Sequence, residues 1–357
     1  PAPPTAPAPA GIAPLTSRSL ISVSGPDAAK YLHGVITANL TGDTHTQGFP
    51  AAFLTAQGRV LHDVFIYRDT ANLSSAASPS PTDTFLIEVD ASQADRLQRH
   101  IKRYKLRANF SVRLLPSVSI YQAWDDSSPP LSLPPSSLPK NTITLPDTRI
   151  PGNPGTLGTR IVTLDDAPPP SLPAVPAVSE DTYHLRRYLH GIPEGQSEIL
   201  RETALPLESN LDLSGAIDFR KGCYVGQELT IRTKHRGVVR KRILPVVLYP
   251  DGGEAPQEVV YRPNVEEGLS AGMVKAETSI GRVGKKGRSA GKWFGGMGNV
   301  GLALCRLEIM TGLVLPGGEG RAGGWKEGDE FVVGVGEEGE REVRVKAFVP
   351  GWMRRSL

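Results

Sequence analysis

Apolar positions alternate with polar ones in short runs along most of the chain. In a few stretches they recur at three- and four-residue spacing instead. The first pattern predicts strands and the second helices. Ser19–Val23 is a predicted strand, and Gly25, Pro26 and Asp27 then open a helix running to about Leu40, its acid placed in the first turn. Ala52–Leu54 and Val60–Tyr67 flank Gln57 and Gly58 and form a predicted hairpin, with Thr84–Val89 and Ser117–Trp124 as further strands. Ala91–Lys105 is a predicted helix with Leu97, Ile101 and Tyr104 on one face and Arg96, Arg99, Lys102 and Arg103 on the other. That basic face is by default a solvated one, with partner docking as the alternative. Asp181–Leu189 is a second clear helix, stopped by Gly191 and Pro193.

From Lys241 the pattern changes. Ile243–Leu248, Gly301–Ile309, Glu330–Val335 and Val343–Phe348 are β-type runs joined by Gly-rich connections, which predicts a separate small β-barrel or sandwich. The expected organisation is a disordered or extended Pro/Ala-rich tail at 1–14, α+β modules over 15–240 and a β domain over 241–357. Ser/Pro-rich loops are expected at 71–83, 127–140 and 166–177. Gly281–Gly296 holds Lys285, Lys286 and Lys292 but no Lys-Ser/Thr pair after a strand, so it is a flexible connection rather than a phosphate loop.

Composition narrows the function classes. Hydrophobic residues make up 39% and charged residues 22% of 357, a folded balance with room for two or more domains. A net charge of +3 is too small to indicate nucleic acid, and no apolar run is long enough to span a bilayer. The chain opens on Pro1 without Met, which points to a processed or truncated precursor. PAPPTAPAPAG has neither Arg nor an amphipathic pattern and is not itself a transit peptide.

Two cysteines, Cys223 and Cys305, are too few for a secreted disulfide scaffold. Cys305 lies in an apolar run and is expected to be a core residue. Cys223 sits in Arg220-Lys221-Gly222-Cys223-Tyr224-Val225-Gly226-Gln227-Glu228. A thiol acts as nucleophile or metal ligand only as thiolate, a form favoured by nearby cations and backbone N–H groups. Arg220 and Lys221 precede Cys223, Gly222 and Gly226 permit a tight backbone, and Gln227 and Glu228 add polar groups that orient a ligand or open a helix. On spacing alone a buried structural cysteine is an equal reading. No Cys-x-x-Cys or zinc-type spacing supports a self-contained metal site, although one cysteine can supply a ligand to a cluster shared with another protein. Arg232–Arg242 carries six Lys/Arg and no acid. It lacks the interleaved aromatics of a single-strand-binding surface and suits an acidic partner or tuning of the thiol instead. Glu208 and Asp212 are expected to be structural carboxylates.

The run from Lys221 to Glu228 resembles the signature of the YgfZ family, which includes the Iba-type mitochondrial iron–sulfur assembly factors. Gly191-Ile192-Pro193-Glu194, Leu205-Pro206-Leu207-Glu208 and Gly301-Leu302-Ala303-Leu304 resemble other parts of that family in the same order. The resemblance implies the α+β fold of the glycine-cleavage T-protein, an aminomethyltransferase: a multi-domain arrangement around a central hole, where folate sits in the T-protein, with a C-terminal β-barrel. It implies a mitochondrial matrix protein, a monomer on its own, that is non-enzymatic or weakly catalytic. Cys223 would ligate a two-iron, two-sulfur cluster shared with an A-type carrier, in the maturation of four-iron, four-sulfur proteins.

The alternative is a tetrahydrofolate-dependent one-carbon transferase. Against it, the T-protein carries Asp-Asp where Gly58-Arg59-Val60-Leu61-His62-Asp63 stands here. A neutral imidazole at His62 supplies no fixed negative charge, and strand alternation turns Asp63 to the opposite face. Both residues are candidates for lining a residual cavity.

Overall fold

The computed structural model describes residues 3–40, 48–74, 84–127, 131, 133, 138–139, 141–164, 175–285, 287–316, 324–336 and 341–355. Most of the three Ser/Pro-rich loops, and Lys286, lie outside the described residues.

A five-stranded antiparallel sheet has the order β3 (Gly48–Leu54), β4 (Val60–Arg68), β5 (Thr84–Asp90), β2 (Arg18–Ser24), β6 (Ser111–Leu114). One face is covered by α1 (Ala28–Val35) and α2 (Ala94–Tyr104), whose Leu32, Leu97 and Ile101 are fully buried against Val64, Ile66 and Ile87. α1 stops at Val35, five residues before the expected end. Ile36 is already extended and bridges to Phe53.

The other face meets a four-stranded sheet ordered β1 (Ala10–Pro14), β7 (Ser119–Asp125), β9 (Thr159–Thr163), β8 (Thr142–Pro146). Of the two expectations for the tail through residue 14, disordered or extended, β1 gives the extended one for Ala10–Pro14. Its alternating Ile12 and Ala13 are buried, and it pairs with β7 from Ala10↔Asp125 to Pro14↔Tyr121.

Between the two sheets, Leu20, Phe65, Tyr67, Trp124 and Val162 form an apolar layer around a buried charge network. The Arg160 guanidinium lies 3.1 Å from Glu88 and 2.8 Å from Glu194; Arg149 lies 2.8 Å from Glu194 and 2.7 Å from Asp147; Arg18 lies 2.9 Å from Glu88. Burial alone would raise the Glu194 carboxyl, but Arg160, Arg149 and Arg18 hold it well below the usual carboxylate range.

α3 (Glu180–His190) crosses to a six-stranded closed barrel, β10 (Lys241–Tyr249), β13 (Val300–Arg306), β12 (Gly291–Met297), β11 (Ser279–Arg282), β14 (Phe331–Val335), β15 (Arg341–Ala347). Closure leaves no free sheet edge, and Trp293 fills the interior. Its indole needs glycine opposite: a Cβ on Gly301 would lie 2.3 Å from the ring. Residues 307–309, expected to continue a strand, lie in a helical turn over Leu307–Met310.

Candidate functional site

The Cys223 loop is a short segment wedged between two elements of the first module. On one side is the C-terminal end of α1. The Lys221 ammonium donates to the carbonyls of His33 at 2.6 Å, Ile36 at 2.7 Å and Ala38 at 3.0 Å, and lies 5.0 Å from the Tyr224 ring. Val225 N–H donates to Gly34 O at 3.2 Å. On the other side is the β3–β4 turn. Gly226 has φ +81°, and a Cβ there would lie 2.2 Å from Thr55 O and 3.2 Å from the Gly58 Cα. Gly58, at φ +80°, would clash with Gly226 O in turn. The two glycines are the contact by which the loop seats on the hairpin. Tyr224 is buried with Leu54, Val60 and Leu211, which pins the loop from below.

This anchorage leaves Cys223 exposed and Cys305 fully buried, both as free thiols. Burial pushes the Cys305 thiol far up, so it stays protonated in the barrel wall. Among the described residues the amides of Gly222 and Cys223, both exposed residues, make no internal hydrogen bond. α4 (Gln227–Arg236) begins directly after the loop, with Gly226 as its left-handed cap.

The other signature residues separate by role. Arg220 is exposed, and its N–H donates to Asp218. Lys221 is committed to three carbonyls and holds the loop. Gln227 Oε1 accepts from Tyr224 N at 3.4 Å and closes the loop on itself, while Glu228 is exposed in the first turn of α4. Gly222 is not in the left-handed region, and a Cβ there would meet nothing nearer than His33 Nε2 at 4.0 Å.

His33 was not found from sequence. It lies 190 positions from Cys223 on the last turn of α1, with Nδ1 buried and unpartnered, and burial followed by Lys221 lowers its basicity. Two of the six cations of the basic run also prove structural. The Arg242 guanidinium binds both oxygens of Asp212, at 2.9 and 3.0 Å, and Lys241 lies 3.0 Å from Glu208. Those two carboxylates are the structural partners expected of them.

His62 and Asp63 turn to opposite faces of the sheet. Asp63 lies 3.3 Å from Arg18 and accepts from Gly195 N at 3.0 Å. His62 is fully buried on the α2 side, and neither ring nitrogen has a partner. Asp63, Phe65, Arg149, Pro193 and Asn210 line the space where the modules meet, a cavity of about 20 Å³. That is room for about one water molecule, not for a pterin. The residues present do not fit folate.

A much larger cavity, of about 1220 Å³, opens on the other side of the hairpin. Arg96, Arg99, His100 and Arg103 of α2, with Arg201, form its wall; Phe53, Leu54, Leu61 and Val225 give it an apolar floor. The basic face of α2 is therefore the side of a groove, and the signature loop reaches into it through Val225.

Two antiparallel sheets followed by a closed barrel, in this order, define a protein of the aminomethyltransferase T class of fold. The aminomethyltransferase T of the glycine cleavage system from Bartonella henselae superposes with a TM-score of 0.62 over 96% of this chain and 86% of its own, at 13% identity. Residues 240–355 match the CAF17 C-terminal beta-barrel domain. The mitochondrial iron–sulfur cluster assembly factor IBA57 homologue of Chaetomium globosum is 60% identical over 98% of this chain and 84% of its own length. The corresponding proteins of Pyricularia oryzae and Neurospora crassa are 55% and 50% identical, over 98% and 97% of this chain and 86% and 81% of theirs. The chain belongs to the IBA57 family of mitochondrial iron–sulfur cluster assembly factors.

Proposed function

We propose that this protein acts in the mitochondrial matrix with an A-type carrier, and that Cys223 supplies a thiolate to a two-iron, two-sulfur cluster held jointly by the two chains. The cluster is cargo, passed on in the maturation of four-iron, four-sulfur proteins. The observation that carries this reading is the combination of exposure and anchorage at Cys223: the sulfur is accessible, while Lys221, Tyr224 and the Gly58–Gly226 contact fix the loop beneath it. As the S–Fe bond forms, the Cys223 thiolate would replace one terminal ligand of the iron, which leaves with its electron pair; the thiol proton goes to solvent or to that ligand, and iron keeps its oxidation state. The amides of Gly222 and Cys223 are donors for cluster sulfide. Arg220 and the exposed cations of α4 contribute positive potential around a cluster whose ligands are anionic.

The test is to mix a cluster-loaded A-type carrier with wild type and with Cys223→Ser, following visible absorbance and circular dichroism. The shared-cluster spectrum should form with wild type alone. Its equal formation with Cys223→Ser removes the sulfur from the mechanism.

A further inference from the structure

We infer that the groove beside the Cys223 loop is the docking surface for an acidic segment of the cluster-carrying partner, an inference that rests on the function proposed above. Arg96, Arg99 and Arg103 stand at i, i+3 and i+7 on α2, on one side of the helix, and all three are exposed. None of them has a carboxylate partner among the described residues: Arg99 reaches only the Asp95 carbonyl, and Arg103 lies over the Tyr104 ring. Elsewhere in this molecule buried guanidinium groups are matched to carboxylates, as at Arg18, Arg149, Arg160 and Arg187. The lining also holds Asp95, and Glu202 paired with Arg201, so the three unmatched cations leave the groove positive and complementary to an acidic ligand.

The floor argues for polypeptide rather than a bare anion. Phe53, Leu54 and Leu61 line the groove, and Tyr104 and Val225 at its edges are 51% and 43% exposed. Large exposed apolar side chains in a charged setting are the composition of a protein contact, where an apolar anchor is ringed by ion pairs. Position links the groove to chemistry. Val225 is two residues from Cys223, so their Cα atoms lie within roughly 7 Å. A partner seated in the groove brings its own ligands to the sulfur without any movement of the loop.

The experiment measures binding of a purified, cluster-loaded A-type carrier to the full chain at low and physiological salt. Three variants are compared with wild type: Arg96→Glu/Arg99→Glu/Arg103→Glu, the neutral Arg96→Gln/Arg99→Gln/Arg103→Gln, and Cys223→Ser. All three arginines are exposed, and thermal melts verify that folding is retained. The charge-reversed variant should bind at least roughly ten-fold more weakly and lose most of the salt dependence, with the neutral one intermediate. Cys223→Ser should lose the cluster spectrum and keep the wild-type salt slope, which separates docking from ligation. Unchanged affinity and slope in both arginine variants would overturn the docking surface and leave the role of Cys223 standing. A wild type that does not bind the carrier overturns both. Displacement of the carrier by inorganic phosphate or by an RNA oligonucleotide at comparable concentration would assign the groove to a different anion.

Discussion

Replacing His62 with Leu should stabilise the protein and flatten its response to acid. The imidazole is fully buried on β4 between the sheet and α2, and neither nitrogen is hydrogen bonded. An unsatisfied buried polar atom costs about 1–3 kcal/mol, so an apolar side chain of similar size should gain about that much at pH 7.5. Protonation is harder still. Burial first, then Arg201, His100 and Arg96, lower the His62 pKa from 6.5 to about 3, with Asp90 opposing. Below pH 6.5 the unfolded chain takes up a proton that the folded one refuses until about pH 3, so stability falls as pH falls through that window. The full interval corresponds to about 5 kcal/mol, of which about 2 kcal/mol is expressed by pH 5. Urea denaturation followed by tryptophan fluorescence at pH 7.5, 6 and 5 measures it. His100 and His190 are lowered too and add to the wild-type loss, so the quantity of interest is the difference between the two proteins. Wild type and His62→Leu losing stability in parallel from pH 7.5 to pH 5 would refute the reasoning.

Gly226→Ala should destabilise by about 2–4 kcal/mol and loosen the Cys223 loop, because the added Cβ meets Thr55 O at 2.2 Å with φ at +81°; urea denaturation and hydrogen exchange over 220–227 report both effects. Arg160→Met should cost about 3–5 kcal/mol, since it leaves Glu88 and Glu194 buried beside one fewer cation; chemical denaturation checks this. With a disulfide reagent, native protein should expose one thiol quickly, Cys223, and release the second only on unfolding, because Cys305 is sealed in the barrel; two fast thiols would contradict the structure.

Much of the fold was legible in the chain because local signals agreed. The hairpin around Gln57 and Gly58, the helix at Ala94–Tyr104 and the onset of β structure at Lys241 each had period and turn chemistry pointing the same way. β8 and β9 were missed because they are five residues each and border Pro-rich sequence. β12 was missed because its glycines look like a flexible connection, although Gly296 is required by the Trp293 ring. α4 was hidden by a cationic composition with little amphipathic contrast. At the site, the Lys221–Glu228 run could be found from sequence, but its surroundings could not. His33, the Arg96–Arg103 wall and Arg201 come from three segments brought together only by tertiary packing. Tyr104, expected on the buried face of α2, stands at the rim of the groove.

The charge network between the two sheets has a kinetic consequence. Among the described residues, guanidinium and carboxylate groups fill the space between the two sheets and leave about 20 Å³ where the modules meet. On the function proposed above, cluster exchange would then be an encounter between surfaces, and its pace should follow the concentration and ionic setting of the two chains.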